Sequence, residues 1–390
     1  MDIQKIQQLL EKYKMDYWII TDYHGRDVFS QQLLDLPQPF FTSRRWIYLL
    51  PRIGQPIKLV STIEKHILDI LEGTTVCYTS YESLKALLHE YLYDQKVAMQ
   101  YSKECQLPIV ATTDAGFVEL IKSIGGQVVS SGDLIQELYC VLDEEGIESH
   151  KRAGEKILRI RDDVYQTIRK GINEGQPLTE WDVLVWIQKA YEKYNLTCDH
   201  DMPYVAVNDH ASQLTFVPTS ENSYTLQEGD LLLLDLWARE KEAKSIYYDV
   251  TFCAYIGKEI PKDYAEQFEK VVGAREACLT FIQERLEKGL LPKGYEVDQH
   301  CRKYFEQCGE ADYFIHRTGH NIGHEVHGPG ANLDSFEAID DRKLLPGTLF
   351  SIEPGLYKKN IGVRTEVDVY IDDHYKLHVF GEKQFNLFKI

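Results

Sequence analysis

The chain has 390 residues, 44% of them apolar, with 43 basic against 61 acidic side chains and a formal net charge of −18. That length accommodates two domains with separate cores, and 25 Tyr, 15 Phe and 5 Trp exclude a disordered chain. The acid excess argues against a nucleic-acid-binding surface, which needs a basic stripe, and most of the carboxylates are expected on a solvated exterior. The eight cysteines, at 77, 105, 140, 198, 253, 278, 301 and 308, form no C-x-x-C pair and no regular spacing, so they suggest neither a zinc site nor a disulfide framework. The opening stretch MDIQKIQQLLEKYKMDYWII is charged and amphipathic and lacks the apolar core of a signal peptide, and no run approaches the length of a membrane span. The expectation is a reduced, soluble, cytoplasmic protein with no nucleic-acid or membrane partner, in which the sequon at Asn195 carries little meaning.

In chain order, the first ~140 residues alternate short apolar runs with helical periodicity. DYWIITDY, RWIYLLP, IKLVST and QKVAMQY predict strands, and YESLKALLHEYL and DAGFVELIKSIG predict helices. This is an α/β pattern with a mostly buried sheet, containing no phosphate-binding glycine loop and no catalytic cluster. A long helix then grows out of the acidic stretch VLDEEG and ends at Gly175. The boundary is expected near residues 142–148, dividing the chain into domains 1–145 and 146–390. LTEWDVLVWIQKAYEKY predicts a second helix, with Thr179 as N-cap and Asp182 three residues on. Further helices are expected around 262–288 and 295–307, with strands between and after them, so the C-terminal part is α+β.

Two acids in this part stand where acids are expensive. EGDLLLLDLW buries Asp235 in a leucine run and LPGTLFSIEPG does the same with Glu353. The segments echo each other: Gly229 and Gly347 open them, and the acid follows six residues later in both. A second acid follows each, Asp249 after fourteen residues and Glu366 after thirteen, which predicts two related hairpins carrying one acid per strand. A lone buried acid is most simply an edge position or an ion pair, but four in two echoing hairpins must be protonated, paired or bound to a cation. Arg364 is a local base and cannot neutralise all four. Between the hairpins, HRTGHNIGHEVHGPG brings histidines at 316, 320, 324 and 327 into a segment too glycine-rich for a stable helix. HEVHG is one residue short of the H-E-x-x-H zinc-protease spacing, and Gly328-Pro329 would end a helix there. Four carboxylates and an imidazole make a box for two divalent first-row metals. Oxygen ligands suit manganese, and the imidazole widens the choice to iron, cobalt or zinc. Glycines at 319, 323, 328 and 330 would let the backbone pack closely around it.

With these motifs the C-terminal half resembles the pita-bread metallopeptidases (methionine aminopeptidase, aminopeptidase P, prolidase and the metal-free creatinase). The two-domain length and TSRRWIYLLP resemble the aminopeptidase P/prolidase branch with its creatinase-type N-terminal α/β domain. The resemblance implies a dinuclear centre held by Asp235, Asp249, His320, Glu353 and Glu366, with Asp249 and Glu366 bridging. Two divalent ions are implied, manganese first, with cobalt, zinc or iron as alternatives. Glu353 doubles as general base, His327 contacts substrate and stabilises the tetrahedral intermediate, and His316 and Arg364 match supporting and substrate-end positions. His324 has no ligand role. The implied activity is that of an Xaa-Pro peptidase, hydrolysing the bond before proline in short proline-containing peptides by a hydroxide held between the ions. The resemblance further implies a homodimer and an N-terminal domain that narrows the active-site mouth. One departure stands out in VAVNDHASQLTFVPT. Aligned on Pro218, Thr215-Phe216 replaces the family's His-Tyr, and threonine cannot serve as an acid near neutral pH. His210, five residues upstream, is a weak substitute. The departure keeps open a member acting on a non-proline substrate, or a binding protein.

Overall fold

A computed structural model describes residues 2–390. It divides into two compact units, the first ending at Tyr139 and the second running Cys140–Ile390, a division six residues before the expected 145/146. The first unit has helices α1 (Ile3–Lys12), α2 (Val28–Leu33), α3 (Tyr81–Leu92), α4 (Ala115–Ser123) and α5 (Gly132–Ile135). Its strands are β1 (Tyr17–Asp22), β2 (Trp46–Pro51), β3 (Ile57–Ser61), β4 (Thr74–Tyr78), β5 (Lys96–Met99) and β6 (Gln127–Ser130), in the sheet order β4-β3-β2-β1-β5-β6. Both faces are covered. Trp18, Ile20, Trp46, Tyr48 and Leu50 pack into one cluster, and the alternating residues Ile19, Ile47 and Leu49 into another. Burial on two sides is why these strands show as unbroken apolar runs. β4 and β6 lie at the sheet's edges and carry polar or half-exposed residues, so neither gave a run to detect.

The second unit opens with α6 (Glu144–Asn173), capped by Asp143, and α7 (Glu180–Lys193). The capping box forms at the predicted residues: the Asp182 N–H donates to Thr179 Oγ1 at 3.1 Å and the Thr179 N–H to Asp182 Oδ2 at 2.9 Å. Strands β7 (Leu196–Thr197), β8 (Tyr204–Val207), β9 (Leu231–Glu240) and β10 (Tyr248–Tyr255) precede α8 (Lys262–Glu287) and α9 (Gly294–Gln307). There follow β11 (Asn321–Ile322), β12 (Leu349–Ile352), β13 (Gly355–Lys358), β14 (Ile361–Arg364), β15 (Val367–Ile371), β16 (Leu377–Phe380) and β17 (Phe388–Lys389). One sheet runs β17-β10-β9-β7 with β8 also paired to β9, a second runs β11-β12-β15-β16, and β13 pairs only with β14.

The first echoing segment is a hairpin, β9 against β10. The second departs from expectation. β12 and β15 do pair, with Ile352 opposite Val367, but Glu353 lies one residue past β12 and Glu366 one residue before β15. Pro354 lacks the N–H that a continuing ladder needs, and the intervening residues form the separate β13–β14 pair. The histidine-rich segment is, as its glycines predict, not helical; its only strand is the two-residue β11.

Candidate metal centre

Strand parity brings the first two acids together. On β9, Leu232, Leu234, Leu236 and Ala238 pack with α6 and α7, as do Val250, Phe252 and Ala254 on β10. The intervening residues therefore face the other way. Asp235 lies opposite both Thr251 and Tyr204, and Asp249 opposite Trp237, all on that second face.

Backbone contacts between segments bring in the rest. The Glu353 N–H donates to the Thr318 carbonyl at 2.8 Å and the Glu366 N–H to the Thr251 carbonyl at 3.2 Å, while Thr251 Oγ1 donates to Glu366 Oε2 at 2.8 Å. His320 is fixed on both sides, its N–H donating to Ser351 Oγ at 3.0 Å and its carbonyl accepting from the Ser351 N–H at 2.8 Å. The crowding explains two glycines: a Cβ on Gly319 would lie 2.0 Å from the Ser351 carbonyl oxygen, and one on Gly330 within 2.5 Å of the Asn321 side chain.

The result is a buried ligand cluster. Asp249, His320 and Glu366 each offer an atom, all within 4.8 Å of one another. Two ligands of one ion at about 2.0–2.2 Å lie up to about 4 Å apart, so a small contraction suffices. His320 Nε2 is 3.6 Å from Asp249 Oδ2 and 3.4 Å from Glu353 Oε1. Asp235 Oδ1, Asp249 Oδ1 and Glu366 Oε1 are buried with no hydrogen-bond partner, a cost a protein does not bear idly. Burial, then the neighbouring acids, pushes Asp249 and Glu366 well above the ordinary carboxyl range; burial raises Asp235 as well and takes Glu353 to about 7. Burial also holds His320 in its neutral, ligating form. Orphaned oxygens, crowded acids and a neutral imidazole fit divalent cations, whose charge reverses the penalty on each carboxylate.

Arg364 is more deeply engaged than a substrate contact would be. Its guanidinium pairs with Asp235, and its Nε and Nη1 donate to Thr251 Oγ1 at 3.0 Å and to the Tyr357 hydroxyl at 3.2 Å. His316 Nδ1 lies 2.6 Å from the Arg317 carbonyl and so carries the proton. Its Nε2 therefore accepts from the Tyr357 hydroxyl at 2.9 Å. Burial and then Arg364 lower His316 to about 3, keeping it neutral. His327 lies beside His320, ring centroids 4.4 Å apart, with its side chain open to the cleft.

These groups line a cleft of about 290 Å³, with walls that also include Tyr204, Leu214, Trp237, Val326 and Tyr357. All five proposed ligands, with His316, His327 and Arg364, lie on this cleft. His324 does not line it; its Nδ1 lies 3.4 Å from the Ser245 carbonyl. Thr215 is exposed and outside the wall, which its neighbour Leu214 joins. Nor does His210 reach the cleft. Its ring is stacked between Phe216 and Tyr224, 3.9 Å from each, with Nδ1 2.9 Å from Glu180 Oε2. Sequence reasoning missed Arg317, which lines the cleft; its backbone N–H donates to Glu337 Oε1 at 2.9 Å, and its guanidinium makes no hydrogen bond or ion pair with the described residues. It also missed Tyr357 and Trp237, which strand parity from Asp235 could have found in the latter case.

A pita-bread unit with buried carboxylates and an imidazole at its centre defines a class of metallohydrolase folds. The family model for metallopeptidase family M24 matches residues 148–373, and the chain belongs to that family. Among curated proteins, an uncharacterized peptidase of Methanocaldococcus jannaschii is 26% identical over 64% of this chain and 66% of its own length. An Xaa-Pro dipeptidase of Pyrococcus furiosus is 28% identical over 62% of this chain and 63% of its own. The chain thus spans less than two thirds of the length of these relatives. Among solved structures, a dipeptidase from Pyrococcus horikoshii superposes over the whole of both chains with a TM-score of 0.64 at 22% identity. The N-terminal domain of the FACT complex subunit SPT16 from chickpea covers 98% of both chains with a TM-score of 0.66 at 14% identity. The fold is therefore the one expected, an N-terminal α/β domain followed by a pita-bread domain, and since likeness at this identity shows the fold alone, function rests on the site.

Proposed function

We propose that this chain is a peptidase that depends on two divalent cations and hydrolyses the bond before proline in short peptides. The observation that carries it is the Asp249–His320–Glu366 cluster with its orphaned carboxylate oxygens. Asp235 and Glu353 complete the ligand set, and manganese suits its oxygen-rich character. When bound, divalent ions polarise a carbonyl and make water acidic enough to supply a nucleophile near neutral pH. Glu353, a carboxylate largely buried at the edge of the cluster, accepts the proton of the attacking water. His327, exposed to the cleft beside His320, donates to the oxygen that gains charge. Arg364 holds Asp235 and Tyr357 in place. Arg317, a cation with no partner of its own, receives the substrate's carboxylate end. Trp237, Tyr204 and Leu214 offer an apolar wall suited to a pyrrolidine ring, and the relative named as an Xaa-Pro dipeptidase supports that specificity.

A homodimer in the cytoplasm completes the proposal. Eight free cysteines support a reducing compartment, and no described helix is long and apolar enough to cross a membrane. A member specialised for a non-proline substrate is the second reading, favoured by the exposed Thr215 and the diverted His210. Mass-spectrometric turnover of Xaa-Pro dipeptides, Xaa-Pro-Xaa tripeptides and their alanine counterparts separates the two. Preferential cleavage before proline is expected, and equal or faster cleavage of the alanine peptides would favour the second reading.

A further inference from the structure

Behind Asp249, outside the cleft wall, lies a second buried acid–base pair that no ligand role explains. His150 on α6 and Asp368 on β15 are both fully buried. The His150 ring packs 5.0 Å from both Tyr248 and Phe380. Its Nδ1 lies 2.7 Å from the Tyr247 carbonyl, which can only accept, so the proton is on Nδ1. That leaves Nε2 without a hydrogen-bond partner, 3.6 Å from Asp368 Oδ2. Asp368 Oδ2 accepts the backbone N–H of Asp249 at 2.9 Å, and Oδ1 has no partner. Nε2 thus presents a lone pair to the carboxyl group, which can meet it only as the donor of a carboxyl proton, after a closing movement of about half an ångström.

A carboxyl group in the middle of a buried strand is costly without such a partner. A valine there would satisfy β15 and leave the Asp249 N–H without the acceptor it now has. The arrangement parallels the other side of the centre, where the Thr251 hydroxyl and carbonyl hold Glu366. We propose that His150 and Asp368 act as a positioning pair: His150 orients Asp368, which fixes the Asp249 backbone and thereby sets the affinity of the centre for a divalent cation. The inference rests on the metal-centre reading above. Partners of this kind that orient ligands typically contribute about 10- to 100-fold to metal affinity.

The test is the manganese dissociation constant, measured by chelator competition on the full chain and on Asp368→Val, Asp368→Asn and His150→Phe. His150→Phe keeps an aromatic ring against Tyr248 and Phe380 and removes both nitrogens. The expected result is a dissociation constant raised about 10- to 100-fold in Asp368→Val and His150→Phe. Asp368→Asn, which still accepts from the Asp249 N–H, should stay within a few-fold of the wild-type chain. Thr179→Ala, a distant cap variant, controls for general destabilisation and should leave the constant unchanged. Folded Asp368→Val and His150→Phe chains with wild-type affinity would overturn the pair's role alone. If Asp368→Val does not fold, His150→Phe decides by itself. A wild-type chain that binds no manganese would overturn both the pair and the metal-centre reading.

Discussion

Glu353 and Arg317 divide the work of the cleft between chemistry and binding, and their variants should separate along that line. Glu353→Gln keeps the shape and a possible ligand oxygen but cannot accept a proton. Its kcat should fall about 10²- to 10⁴-fold, measured by single-turnover hydrolysis; a kcat within a few-fold of wild type would remove the base role. Arg317→Ala should act differently. A charged hydrogen bond contributes about 1.5–3 kcal/mol, so KM for an Xaa-Pro dipeptide should rise about 10-fold or more with kcat little changed. The same loss should appear in the wild-type chain when the dipeptide is C-terminally amidated. If amidation leaves KM untouched, the carboxylate lies elsewhere.

Between single residues and the whole chain, the elements show how far the sequence could be read. Asp235 and Asp249 are legible because an acid inside an apolar strand violates the burial pattern around it. The capping box at Thr179 was legible because it depends on residues three apart. Thr179→Ala should lower stability by about 1 kcal/mol, read from urea denaturation, with no loss of activity. The chain of contacts from His316 through Tyr357 to Arg364 and Asp235 was not legible, since it joins four segments that only the fold brings together. The β13–β14 insertion was hidden for a related reason. Spacing alone marks where Glu353 and Glu366 fall, and cannot say whether the residues between them make a turn or a second strand pair. The glycines of the histidine segment permit close packing, and Gly319 shows how. A Cβ there meets a carbonyl oxygen of β12, which is backbone and cannot rotate away. Gly319→Ala should cost about 1–3 kcal/mol as an overpacking change and displace His320, lowering manganese affinity as read by chelator competition.

For the molecule as a whole, the buried acids make stability depend jointly on metal and pH. Asp249 and Glu366 have folded pKa values well above their unfolded ones, and Glu353 rises to about 7. A raised acid contributes stability that is complete below its unfolded pKa and is lost as pH climbs toward the folded value. His150, at about 4, His316, at about 3, and His320 have lowered values. Their contribution is complete above about 6.5, the unfolded pKa, and is lost as pH falls. Above about pH 6.5 only the acids slope, so the metal-stripped chain should lose Tm as pH rises to 8. Manganese, which binds the ionised carboxylates, should stabilise by about 2.7 kcal/mol at a hundred times its Kd. The Tm gap between loaded and stripped protein should therefore widen over the same pH range in differential scanning calorimetry. A gap that narrows would mean the cluster does not hold the ion.

The most direct measurement is hydrolysis of an Xaa-Pro dipeptide by chelator-stripped protein as manganese is titrated back. The account predicts no cleavage without metal and a rate that rises to saturation as the Asp249–His320–Glu366 cluster and its neighbouring acids fill. Cleavage that is unchanged in the stripped protein, or absent from a folded protein shown to be loaded with manganese, would contradict it.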